Sequence, residues 1–503
     1  MVVVGIDAVP IRVEVDIANG LPAFSIVGLP DASIRESADR VKSAIRNSGY
    51  TFPRKKITVN LSPADIRKEG PSFDLPIAIG VLAASGALDI EKLDAKYFMG
   101  ELSLNGALGG IAGVLPMILR IKKLKNDHVA VIPVENLAEA SMVPDNSAFG
   151  FATLAEIGAY LTTNEYFPKD IPGRKAKDNG RYGIDFSDVK GQYHVKRGLE
   201  VAAAGRHNVL MIGPPGSGKT MLAKRMATIL PEMTLEESIE TTAIHSVAGN
   251  IRDKESLVTL RPFRSPHHTI SDAALIGGGR IPRPGEVSLA SNGILFLDEL
   301  PEFKKNVLEV LRQPLEEHAV HIARASAHAR YPSKFMLVAA MNPCPCGYFT
   351  DRNRECHCTM PQVQRYLSKI SGPLLDRIDI HLEVPALDRQ TLEGAASSSE
   401  SSSVIRERVL QARDVQRERF RGTDYGSNDD LKGKDIGRYC ALNEKARSLL
   451  SEAINDLGFS ARAYDKVLKL SRTIADLSGS RDIAEEHIAE AVSYRSLDKN
   501  IWQ

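Results

Sequence analysis

The sequence predicts a multidomain α/β protein whose last hundred residues are helical, and three observations carry that prediction. At 503 residues the chain exceeds one ordinary hydrophobic core, and domains of about 100–200 residues give two to four of them. β-like apolar runs alternate with segments of helical period through the first two units, whereas only helical spacing follows. A content of 43% hydrophobic and 25% charged residues is ordinary for folded, globular chains and argues against a disordered or membrane protein.

The charges balance, with 64 Lys and Arg against 63 Asp and Glu, so a polyanionic partner must be met by a local basic surface. The segment from Met1 to Pro10 has no basic leader and reads as a strand. The longest mostly apolar run, Leu75 to Leu88, is shorter than the roughly 20 residues of a spanning helix. Four of five cysteines crowd between Cys344 and Cys358, a local metal or redox arrangement suited to a reducing compartment. A cytoplasmic protein is expected.

Residues 166–185 are rich in Pro, Gly and charge, and residues 391–403 end in a Ser-rich tract. These joints divide the chain into 1–165, 186–390 and 404–503. In the first unit Val2–Ile6, Ile11–Ile17 and Ile57–Leu61 read as strands, with helices at Ser33–Ser48 and Pro76–Ala84. The second has short apolar strands between helices, as a parallel sheet requires. The third reads as helices over Asn443–Leu457, Ala461–Leu477 and Ala484–Tyr494.

In the second unit an apolar strand, Asn208–Ile212, runs into Gly213-Pro214-Pro215-Gly216-Ser217-Gly218-Lys219-Thr220 and a helix from Met221. This is G-x-x-x-x-G-K-T in a strand–loop–helix context, where backbone N–H groups and the helix terminus cradle phosphates. Lys219 then reaches the terminal phosphates of ATP, and Thr220 offers its hydroxyl to Mg²⁺. A second buried strand, Gly293–Leu297, ends in Asp298-Glu299. One carboxylate suits Mg²⁺ and the next suits polarising the attacking water. A third, Phe335–Ala340, leads to Asn342, placed to bond the water or the γ-phosphate or simply to end a strand before Pro343.

The order of these motifs, with Leu374-Leu375-Asp376-Arg377 and a helical domain carrying Ser460-Ala461-Arg462-Ala463, resembles AAA+ ATPases of the magnesium-chelatase-like clade. Most closely the chain resembles the ComM/YifB competence-protein family, over nearly all its length, through GIDAVPIRVEVDIANGLPAFSIVGLPD, MNPCPCGY and SGPLLDRIDI. The resemblance implies an AAA+ P-loop domain followed by a helical lid. It makes Asn342 sensor 1, Arg377 an arginine finger reaching the next subunit, and Arg462 the sensor 2 arginine. It also aligns residues Val189 to Tyr193 with the segment that holds adenine. A guanidinium supplied by a neighbour would tie hydrolysis to assembly, whereas the plain alternative for Arg377 is a salt bridge to Asp376 or Asp379.

In the first unit, Lys68 to Leu75 resembles the nucleophile segment of Lon-type proteases, with Ser72 at the serine position. The implied fold is Lon-protease-like, of ribosomal S5 type. A Ser–Lys dyad needs a neutral amine in reach. Gly109-Gly110 is not followed by lysine until Lys122, so a non-proteolytic domain is expected. Cys344, Cys346, Cys356 and Cys358 could close a tetrahedral Zn²⁺ site, although C-x-C is not the usual spacing. An Fe–S cluster and unliganded thiols stay open, and His357 could replace one sulfur.

Two further segments are basic. Arg261–Gly285 holds four Arg and two His against one acid, and His318–Lys334 alternates like a hairpin turning near Ala325-Ser326. The resemblance makes them the helix-2 insert and the pre-sensor-1 hairpin lining the channel of a hexameric ring. Arg280, Arg283, Arg324 and Arg330 would there grip a phosphate backbone without reading its sequence, unless they are ordinary solvated charge. The implied function is a ring motor on single-stranded or branched DNA, acting in branch migration and recombination during natural transformation. The alternative is the motor subunit of a metal chelatase.

Overall fold

The computed structural model describes the chain except residues 69, 125–127, 164, 167–181, 251–256, 280–281, 325–326, 350, 352–353, 387–398, 458–459, 496 and 498–503, and except the side chains of 324, 327 and 328. The fold is mixed α/β with parallel sheets and a helical C-terminal region. Most of the 166–185 joint and residues 391–398 of the Ser-rich one fall outside the description.

The first unit is built on two three-stranded sheets. In one, Arg12–Ala18 runs antiparallel to Lys56–Ser62, which pairs in parallel with Ala23–Val27. In the other, Val129–Pro133 lies between Lys96–Phe98 and Ala148–Phe151, all parallel. Asp31 starts the helix Ala32–Asn47 by accepting the Ile34 N–H, and the helix buries Ile34, Val41 and Ile45 against Ile57, Val59 and Leu61. The N-terminal strand expected over Met1–Pro10 is instead a hairpin, Val2–Val4 with Asp7–Val9. Gly5 makes the difference: its φ of 69° lets the chain reverse, and its bare Cα lies against the Arg330 carbonyl.

The second unit is built on one five-stranded parallel sheet. Its order across the sheet is Phe263–Arg264, Ile294–Leu297, Met336–Met341, Val209–Ile212, Ile380–Glu383. The three central strands are wholly buried, which is why they read as continuous apolar runs without alternation. Their pairing brings the residues after Ile212, Leu297 and Met341 to one edge of the sheet. That edge is where ligands bind in open α/β sheets.

The C-terminal region comprises Ser402–Arg419, Lys434–Tyr439, Glu444–Leu457, Ala461–Leu477 and Glu485–Ser493. It does not stand apart: Ile405, Val409, Leu470 and Tyr494 share one continuous core with Val209, Val338 and Ile380 of the sheet. The position of this helical region is therefore set by apolar burial against the five-stranded sheet. Among the described residues no helix is long and apolar enough to cross a membrane.

Candidate functional site

The phosphate loop leaves Val209–Ile212 at Gly213 and re-enters a helix at Lys219. A Cβ on Gly213 would lie 2.1 Å from the Val384 carbonyl oxygen, so only glycine lets the loop pass the neighbouring strand. Gly216 and Gly218 take positive φ, 77° and 91°, turning the loop back on itself. Lys219 is buried and donates to the carbonyls of Gly213 (2.7 Å) and Pro214 (2.9 Å) and to Asn342 Oδ1 (3.2 Å). Burial lowers its amine to about 8, against the pull of Asp298. Thr220 Oγ1 donates to Asp298 Oδ2 at 2.6 Å, so the two oxygens expected at Mg²⁺ already adjoin. Buried Ser217 Oγ has no partner among the described residues.

Glu299 follows with backbone in the left-handed region (φ 53°), unusual for a branchless acid and typical of strained functional positions. Its carboxylate is exposed, and His268 Nδ1 of the insert stands 3.3 Å from Oε2. The Val189–Tyr193 segment also reaches the loop, where Gln192 Nε2 donates to the Ser217 carbonyl at 2.8 Å. Lys219, Thr220, Asp298 and Asn342 are thus brought together in one chain.

Arg377 and Arg462 are elsewhere. The Arg377 carbonyl accepts from Asn208 Nδ2 at 3.1 Å, at the amino end of the phosphate-loop strand. Four strand residues separate that end from Gly213, about 13 Å at 3.3 Å per residue. The Arg377 guanidinium is nearly buried and bonds Glu316, not Asp376 or Asp379, while its Nε has no acceptor among the described residues. Arg462 approaches the same Glu316 at 3.9 Å. Asp379 is taken instead by lid residue Lys466 at 2.9 Å. Burial would raise its carboxyl, but Lys466 and then His207 outweigh that and hold it near 2.

The four cysteine sulfurs lie within 4.8 Å of one another, with Cys344–Cys346, Cys346–Cys356 and Cys344–Cys356 at 3.3, 3.5 and 3.7 Å. Tetrahedral zinc with bonds of about 2.3 Å sets sulfurs about 3.8 Å apart, close to this spacing. The N–H groups of Gly347 and Phe349 donate to Cys344 Sγ and fix its position in the cluster. His357 is exposed and outside the cluster, so the sulfur set is complete without it. The loop also lies on the phosphate loop: a Cβ on Gly347 would come 2.5 Å from the Pro215 ring.

The basic segments are only partly free charge. Arg261 pairs with Glu237 (2.9 Å) and Arg264 with Glu286 (2.6 Å). Arg283 and Arg330 are exposed, while Arg280 and the Arg324 side chain lie outside the described residues. The hairpin Ala319–Arg324 with Ala327–Pro332 is present, and buried Tyr331 donates to the Pro282 carbonyl at 2.7 Å, fastening it to the insert. In the first unit, Ser72 sits in the turn Pro71–Phe73, its carbonyl accepting from Gly100. Lys122 is committed to the Pro144 carbonyl at 2.6 Å, and Lys68 to that of Pro63.

His268, Glu316 and Tyr331 were not singled out as site residues by sequence reasoning. His268 carried a faint signal as half of a His pair inside the basic insert, but Glu316 and Tyr331 look like any helix acid or strand aromatic.

Models of the magnesium chelatase subunit ChlI match residues 13–136 and 185–392, and a model of its C-terminal region matches 399–495. The competence protein ComM of Haemophilus influenzae is 47% identical over 98% of this chain and 96% of its own. YifB of Salmonella typhimurium is 44% identical over the same shares. The DNA replication licensing factor Mcm6 of Drosophila pseudoobscura is 22% identical over 63% of this chain and 37% of its own. A complete phosphate loop with its acidic strand end, and near-full-length identity of this size, show that the chain belongs to the ComM/YifB family of magnesium-chelatase-like AAA+ ATPases.

Proposed function

We propose that the protein is an ATP-hydrolysing ring motor that moves along DNA, with branch migration of recombining strands as its task. Lys219 and the loop N–H groups hold the phosphates. Thr220 and Asp298 would hold Mg²⁺, which would supply charge neutralisation at the phosphates. Glu299 orients and deprotonates the water, and Asn342 fixes Lys219 and the γ-phosphate from the adjacent strand. Arg377 cannot reach its own loop across the sheet, so it completes the loop of a neighbouring chain, and Arg462 shares that outward face.

The observation that carries the DNA reading is the fastening of two basic elements: Tyr331 ties the hairpin bearing Arg330 to the insert bearing Arg283. Mcm6, a DNA replication factor, aligns with part of the chain, and ComM is a competence protein. The test is ATP turnover with and without single-stranded, duplex and four-way-junction DNA. DNA should stimulate it, and changing Arg283 and Arg330 to Ala should lower the salt slope of duplex binding by about 0.9 per lost contact. The family models favour a second reading, a chelatase motor, which predicts no stimulation by any DNA.

Cys344, Cys346, Cys356 and Cys358 hold one Zn²⁺ that pins the loop over Pro215. Elemental analysis should find about one zinc per chain, lost with lower thermal stability when Cys344 and Cys346 become Ser; iron or no metal contradicts this. Four cysteines gathered at one local site, rather than spread as a disulfide framework, suit a reducing, cytoplasmic location. The first unit serves structure, assembly or partner binding rather than proteolysis, since Lys68 donates to the Pro63 carbonyl and Lys122 to that of Pro144.

A further inference from the structure

Arg377 and Arg462 belong to different elements, one just ahead of the strand Ile380–Glu383 and one in the first turn of the helix Ala461–Leu477, yet both meet Glu316. A buried ion pair joins those two elements. Asp379, two residues after Arg377, places Oδ1 2.9 Å from the Nζ of Lys466. Lys466 follows Arg462 by four residues, which sets the two cations one above the other on the same helix face.

Both sides of this pair are anchored. Asp379 Oδ2 accepts the Asn208 N–H at 2.8 Å, and the Asp379 N–H donates to the Asn208 carbonyl at 3.0 Å. Asn208 Nδ2 donates to the Arg377 carbonyl at 3.1 Å, so one residue ahead of the phosphate-loop strand holds the whole Arg377–Asp379 turn. Further along the helix, buried Thr473 sets its Oγ1 2.8 Å from Nε2 of buried His207.

Around these contacts the seam is apolar, with Leu470 and Ile474 sharing a core with Val209 and Ile380. Apolar burial is non-directional, so it resists separation of the helix from the sheet better than it resists sliding or rotation. A buried ion pair resists both, because moving one partner leaves the other charged and alone in a dry site.

We infer that Asp379 and Lys466 are positioning residues that lock Arg377 and Arg462 into one outward face, so that both arginines reach the neighbouring chain together. This rests on the reading of Arg377 as the finger that completes a neighbour's phosphate loop. The pair acts through the backbone next to Arg377 and through the helical turn after Arg462, and needs no contact with nucleotide itself.

The test is steady-state ATP turnover by the full chain. Asp379→Asn keeps an acceptor for the Asn208 N–H and loses the charge, and Lys466→Met keeps an unbranched stem and loses the charge. Each should lower kcat about ten- to thirtyfold with KM for ATP within about twofold of the parent. Either single change leaves a buried charge unpaired, so the double variant Asp379→Asn/Lys466→Met, which removes both, should regain thermal stability close to that of the parent. It should nevertheless hydrolyse ATP as slowly as the single variants, an outcome that a purely structural pair would not give. Added to Arg377→Ala, the double change should cost less than about a further twofold. Mixed with Lys219→Ala, which supplies an aimed arginine pair and a dead loop, the double variant should recover turnover at intermediate ratios. A folded double variant with parental kcat overturns the inference, and so does a further tenfold loss in the Arg377→Ala background. Should the double variant not fold, the folded single variants carry the same comparisons. Arg377→Ala mixed with Lys219→Ala separates the failures: if that mixture recovers while the double variant is as fast as the parent, only the positioning pair is wrong. If that mixture stays flat, the finger reading falls and the role of the pair with it.

Discussion

At the carboxyl end of the five-stranded sheet Lys219 bonds Asn342 and Thr220 bonds Asp298, whereas Arg377 and Arg462 converge on Glu316. The first group needs nothing but the chain's own strands: three buried strands in parallel register end together and deliver four polar residues to one edge. The second group has the right chemistry for a γ-phosphate, and Arg377 lies at the amino end of the phosphate-loop strand rather than at the loop. A nearly buried guanidinium paired with a half-exposed glutamate is a modest interaction, easily exchanged for a polyphosphate. We propose from this contrast that binding lies within one chain and charge neutralisation between chains.

The largest effect should come from breaking the self-contained end. Lys219→Ala should abolish nucleotide binding and lower turnover by about 10²–10³-fold, and Glu299→Gln should lower turnover comparably while ATP stays bound. Near-normal hydrolysis by either variant would undo the site assignment.

A smaller effect sharpens the same comparison through pH. Burial holds the Lys219 amine near 8, below the ordinary lysine value. A bound polyphosphate favours the charged form and raises it again, so binding takes up a proton above about pH 8 and affinity falls as pH rises through that value. Calorimetry in buffers of different ionisation enthalpy should show this uptake at about pH 9 and little of it at about pH 6.5. Equal proton release or no exchange at the higher pH would mean that Lys219 does not face the phosphates.

Much of this was legible in the sequence because it is local. The loop Gly213–Thr220 is contiguous, and each apolar strand announces its own end at Asp298 or Asn342. The hairpin is written in the alternation of His318–Lys334. What stayed hidden depends on pairing across long separations. Arg261 and Arg264 read as free basic charge until the fold gives them Glu237 and Glu286. Glu316 is an unremarkable surface acid until the chain returns with Arg377 beside it. Ser402–Arg419 reads as the start of a separate domain, since the Ser-rich tract before it hides that Ile405 and Val409 enter the ATPase core. Periodicity reports which face is buried, not what it is buried against.

The central claim is that one chain binds nucleotide and another completes it. Arg377→Ala should bind ATP like the parent but hydrolyse it about 10²-fold or more slowly, as expected for a missing arginine finger. The direct measurement is turnover of Arg377→Ala titrated with Lys219→Ala, each nearly inactive alone. The account predicts activity that rises to a maximum at intermediate mixing, where an intact loop from one variant meets an intact finger from the other. Flat, residual turnover at every ratio, from variants shown to assemble together, would contradict it.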